Sequence, residues 1–149
     1  MNAHVFLKKE IICTMFFLSA LAIGGCKKKC DYCDAGKLVA TWKLNLILSE
    51  NGETIMAEPG NANRAMLLTF TETNSLSGTT LGNWFEGTYT TERGTNKLNI
   101  DVHYTTLVFD VSAWSTSFFN GLNEAGEFTV TDDHLSIRYG NTRLELNKQ

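Results

Sequence analysis

Residues 98–105 read Leu-Asn-Ile-Asp-Val-His-Tyr-Thr, so that Leu98, Ile100, Val102 and Tyr104 alternate strictly with Asn99, Asp101, His103 and Thr105. Successive side chains of a β-strand point to opposite faces, and this stretch therefore predicts a strand with one face in a core and the other in water. One-sided strands of this kind are the building material of antiparallel sheets, because parallel sheets are covered on both faces. The same parity recurs along the chain. Leu38, Ala40, Trp42, Leu44, Leu46 and Leu48 share one face while Thr41, Lys43, Asn45 and Ser49 take the other. Met66, Leu68 and Phe70 lie on one parity of residues 65–73, and Phe85, Gly87 and Tyr89 oppose Trp84, Glu86 and Thr88 in residues 83–92. A short return strand is expected at 54–57, and Phe128 with Val130, Leu135 with Ile137 and Tyr139, and Leu144 with Leu146 close the chain.

Turn chemistry separates these runs. Asn51-Gly52 offers the positive-φ pair of a tight hairpin. Glu58-Pro59-Gly60-Asn61, Arg93-Gly94-Thr95-Asn96, Asp132-Asp133 with His134, and Gly140-Asn141 are the other turns. One segment breaks the period of two. Ser112 can cap a helix in which Trp114, Phe118 and Leu122 recur at every fourth residue on one stripe, with Gly126 as the stop. Phe119 lies about 100° round the helix from Phe118, at the edge of that stripe. The expectation is a mainly β fold, an antiparallel sheet of about seven or eight strands curled into a small barrel, with one helix, Ser112 to Leu122, packed on it. The inward parities fill such a barrel with side chains, and no deep apolar cavity is expected.

With 149 residues, 43% of them apolar, and a single Pro beside 12 Gly, the chain has the composition of one folded domain. A formal charge of -3 leaves no excess of basic residues from which to build a nucleic-acid surface. No nucleic-acid partner is expected.

The N-terminus reads as an address. Lys8 and Lys9 precede an apolar run from Ile11 to Ile23, shorter than the roughly 20 residues of a membrane span, and Ile23-Gly24-Gly25-Cys26 follows. That tetrapeptide resembles the lipobox of bacterial lipoproteins. The resemblance implies removal of residues 1–25 as a signal peptide, acylation of Cys26, a tether over residues 26–36, and a β domain over 37–149. It also implies anchoring in the cell envelope. Lys27 in place of an Asp favours the outer membrane, on either its periplasmic or its outer side. Of the four cysteines, Cys30 and Cys33 remain as a C-x-x-C in the tether. Outside the inner membrane such a pair can form a local disulfide; an intermolecular or redox bond and a metal site are the alternatives.

Thr41-Trp42-Lys43-Leu44, Leu67-Leu68-Thr69-Phe70, Asn83-Trp84-Phe85-Glu86-Gly87-Thr88-Tyr89, Thr105-Thr106, the aromatic helix, Leu135-Ser136-Ile137 and Leu144-Glu145-Leu146 follow one another in an order that resembles the META domain family. The most specific part is the N-x-F-x-G-x-Y run of Asn83, Phe85, Gly87 and Tyr89. The resemblance implies an envelope or secreted module, tied loosely to stress and adaptation, with no established catalytic site and no cofactor. The Gly-Cys pair that often precedes the Asn in that family is Leu81-Gly82 here, so the family's usual disulfide is not implied. A second resemblance, to lipocalin-like lipoproteins, rests on Ala40-Thr41-Trp42 in place of a Gly-x-Trp and implies a carrier of a small apolar ligand. The helix argues against it, because three strands follow it, whereas a lipocalin helix comes after the eighth strand.

Chemistry-bearing residues are sparse. Asp101 and His103 share one face of their strand, but it is the solvent parity, and no third ligand or nucleophile accompanies them. Asp132 and Asp133 suit a turn for backbone reasons. No nucleophile elbow, phosphate loop, H-E-x-x-H or EF-hand spacing occurs. The expectation is a non-enzymatic binding or scaffold module whose partner is an envelope protein or a small ligand, with Trp84 and Phe119 as candidate contact residues.

Overall fold

The computed structural model describes residues 34–106, 108 and 112–149. The expected signal peptide over residues 1–25, and Cys26, Cys30 and Cys33, lie outside the described residues. Among the described residues nine strands form one antiparallel sheet: β1 (Thr41–Ser49), β2 (Thr54–Ala57), β3 (Leu67–Phe70), β4 (Ser75–Thr79), β5 (Trp84–Thr91), β6 (Leu98–Tyr104), β7 (Glu127–Val130), β8 (His134–Tyr139) and β9 (Thr142–Lys148). Eight of them follow the order β6-β5-β4-β3-β1-β9-β8-β7, and β2 pairs with the second half of β1. The sheet curls into a half-barrel. Its two edges meet at one place, where Lys97 bridges Glu127, Leu98 N donates to Gly126 O (3.2 Å) and Phe128 N donates to Asn96 O (2.8 Å).

The helix α1 (Ala113–Asn123) packs where the edges diverge. Ser112 caps it, accepting from Ser115 N, and Trp114, Phe118 and Leu122 point into the core as their spacing predicts. At its other end Asn123 Oδ1 accepts from Val102 N (3.0 Å), satisfying a backbone donor on the outer edge of β6. The concave side of the sheet is filled by side chains, with Trp42, Leu44, Leu68, Phe118, Leu135, Ile137, Leu144 and Leu146 at zero exposure.

The first strand departs from its simple alternation. Leu44 pairs with Leu146 but Leu46 pairs with Glu145, so Asn45 is an extra residue with no partner of its own on β9. A bulge of this kind shifts every later residue to the opposite face. Ile47 is therefore buried, and Leu46 and Leu48, expected inside, are half-exposed on the convex side. Two further expectations are corrected, and one strand is added. In the loop after β1 only Gly52 adopts positive φ (+83°), and the turn closes as a three-residue loop with Ser49 N on Glu53 O. His134 opens β8 instead of sitting in the turn. Residues 75–79 form a strand although Leu76 is their only large apolar side chain, because Asn74, at φ 60°, reverses the chain and lays them along β3.

Candidate functional site

The N-x-F-x-G-x-Y residues are all used to build the fold. Asn83 is buried and clamps the segment after β6: its Oδ1 accepts from Val108 N (2.7 Å) and Thr106 Oγ1 (3.2 Å), and its Nδ2 donates to Val108 O (2.9 Å). Phe85 lies opposite Gly78, where any Cβ would overlap both its ring and the Leu67 carbonyl. At Gly87 a Cβ would overlap the Asp101 carbonyl of β6. Tyr89 packs edge-on against Phe70, with ring centroids 4.8 Å apart, and its hydroxyl donates to Thr71 O (2.7 Å). Burial pushes the Tyr89 phenol above its ordinary value, which keeps it a neutral donor.

The candidate contact residues differ in availability. Trp84, on the convex parity of β5, is 56% exposed, and the Arg64 guanidinium carbon stands 4.3 Å from its ring centroid. Phe119 is half-buried, stacked on Tyr104 at 3.9 Å and edge-on to Phe85 at 5.9 Å. Three large apolar side chains are exposed among the described residues: Ile55, Trp84 and Val108. Register sets Trp84 in line with Thr79, Leu67 and Lys43, near the start of β1, with Val108 held nearby through Asn83, whereas Ile55 lies beside the second half of β1. Asp101 and His103 are exposed, and His103 reaches Glu86 at 3.5 Å in an open surface pair. Asp132 pairs with Lys37 (2.7 Å), and Asp133 accepts from Thr131 Oγ1 (3.1 Å).

A polar cluster that sequence reasoning missed occupies the convex face of β7, β8 and β9. Cross-strand register aligns Thr129, Ser136, Glu145 and Leu46 in one row and Glu127, Arg138, Arg143 and Leu48 in the next. Glu145 is only 8% exposed, because the bulge at Asn45 sets Leu46 beside it. Its carboxylate is satisfied on both oxygens: Ser136 Oγ donates to Oε1 (2.9 Å), and His134 Nε2 lies 3.0 Å from Oε2. The glutamate sits between the serine and the histidine, so these three groups do not form a Ser-His-acid relay, in which the imidazole must stand between the other two. No group of three or more metal-ligating side chains occurs among the described residues.

Fold and site together define a small antiparallel β domain with one packed helix, a filled concave side and a polar cluster on its convex face. The chain belongs to the META domain family, whose model matches residues 37–149. Among solved structures it is similar to a DUF4847 family protein from Bacteroides vulgatus, with a TM-score of 0.61 and 18% identity over 75% of this chain and 95% of that one. A protein from Burkholderia xenovorans gives a TM-score of 0.59 at 16% identity, covering 74% of this chain and 82% of its own. A lipocalin-like protein from Bacteroides uniformis gives 0.51 at 19% identity, covering 76% and 100%. These likenesses are likenesses of fold. No curated protein matches the chain.

Proposed function

We propose that this chain is a lipoprotein of the bacterial outer membrane, held by acyl chains on Cys26, and that its META domain is a non-enzymatic binding or scaffold module serving envelope adaptation. The observation that carries the reading is the use of the family motif. Asn83, Phe85, Gly87 and Tyr89 are committed to clamping, packing and close strand approach, which leaves recognition to the surface. The exposed Trp84, with Arg64 on one face of its ring, lies on the convex parity of β5 and is the contact surface offered to an envelope protein.

The second reading is a carrier of an apolar ligand, favoured by the likeness to the lipocalin-like protein. Against it stands a concave side already occupied by Trp42, Phe70, Phe85, Phe118 and Phe128. The test has two arms. Labelled palmitate should enter the wild-type chain and not Cys26→Ala, and incorporation by the variant would sink the anchor. Long-chain fatty acids should bind the delipidated protein no better than millimolar, at most about 4 kcal/mol. Tight one-to-one uptake that falls on enlarging Leu68 would establish the carrier instead.

A further inference from the structure

Beside the seam where the sheet edges meet, the convex face carries a cleft of about 190 Å³, lined by Asn96, Glu127, Thr129, Ser136, Arg138 and Arg143. Arg138 and Arg143 stand directly opposite each other on β8 and β9. Like charges in that position repel and destabilise a strand pair. Arg138 is compensated, with Glu50 at 2.6 Å and Glu127 at 3.9 Å. Arg143 is not compensated to the same degree: its closest carboxylate oxygen, Glu145 Oε1, is 3.6 Å from Nε, beyond hydrogen-bond range, and that buried Nε has no hydrogen-bond partner. The Arg143 side chain keeps 37% exposure beyond that buried Nε, so the terminal N–H groups of its guanidinium are what this wall of the cleft offers to an acceptor.

We infer that this cleft binds a small monocarboxylate. A guanidinium presents parallel N–H groups that match the two oxygens of a carboxylate. The hydroxyl of Thr129 and the amide of Asn96 line the same cleft and suit hydroxyl or amide groups on the rest of the ligand. Glu127 on the rim and Glu145 beneath Ser136 work against a second negative charge, so a dianionic phosphate is the poorer fit. The volume equals the share of about six water molecules, which suits a ligand of amino-acid size. The site is independent of how the chain is anchored and of the exposed surface at Trp84.

The test is titration of the full chain in detergent with acetate, inorganic phosphate and chloride at matched ionic strength, following arginine side-chain NMR signals. Acetate should shift the Arg143 Nε–H signal saturably, with phosphate weaker and chloride showing only a linear salt effect. Arg143→Gln should abolish the saturable response, and Thr129→Val, on an exposed position, should leave the acetate response unchanged while weakening several-fold the binding of lactate, which carries a hydroxyl beside its carboxylate. An acetate response no larger than that of chloride, its survival in Arg143→Gln, or tighter binding of phosphate would each overturn the assignment.

Discussion

Replacing Gly87 by Ala tests the packing logic of the sheet at its tightest point. A Cβ there would overlap the Asp101 carbonyl oxygen and lie 2.9 Å from both Asp101 C and Val102 Cα, where carbon atoms in contact ordinarily sit about 3.5–4.0 Å apart. All three atoms are backbone, so no side-chain rotation relieves the contact; β5 and β6 must separate by more than half an ångström, to a first estimate from that difference. They are not free to do so. Gly87 pairs with Val102, whose N–H is held on its other side by Asn123 of the helix. Overpacking of this kind costs about 1–3 kcal/mol, and the upper end is expected because the obstacle is main chain. The smaller unfolded-state entropy of Ala returns about 0.4–1 kcal/mol, leaving a net loss of about 2 kcal/mol and a fall in Tm of roughly 8 °C. The assay is paired thermal and urea unfolding, with Gly60→Ala as the control, since a Cβ at Gly60 meets nothing within 4 Å and its φ is not positive. A Gly87→Ala protein within about 0.5 kcal/mol of wild type, the usual range for surface substitutions, would refute the reasoning.

Two further outcomes follow from the same structure. Asn83→Ala removes the clamp on Val108, and because Val108 can turn its freed backbone groups to water, the cost should be about 2 kcal/mol; hydrogen exchange at the Val108 amide should accelerate, and unchanged exchange would count against the clamp. The Lys37 ammonium, hydrogen-bonded to Asp132, holds that carboxyl below its ordinary range, so the pair contributes above the usual aspartate pKa and is lost as pH falls through the lowered value; Asp132→Asn should be slightly less stable than wild type at neutral pH and converge with it on acidification, and parallel stability-against-pH curves would contradict this.

Much of the architecture is local and could be read directly. The alternation from Leu98 to Tyr104 marks β6 with its buried and wet faces, and Ser112 with Trp114, Phe118 and Leu122 marks α1 and the side it buries. Glycine at 87, inside an alternating strand, marks a bend or a close backbone approach, and the structure shows the approach. The strand at 75–79 was invisible for the converse reason. With Leu76 alone on its apolar face it carries no period, and it is a strand because β3 and β5 supply the hydrogen bonds on either side.

By itself, the amino-acid sequence determined which residues alternate, where the helix starts and which side chains seek the core, since these depend on neighbours along the chain. Only the tertiary structure decided which residues stand side by side across strands. The unpaired Asn45 turns Leu46 and Leu48 outward, and that reversal buries Glu145 beside Leu46. Register alone sets Arg138 against Arg143 and Ser136 against Glu145, and closure of the sheet brings Asn96 to the same cleft. Parity shows which face a side chain occupies, but its partners across the sheet depend on a pairing register fixed by bulges and by the packing of the opposite face, which no single strand encodes.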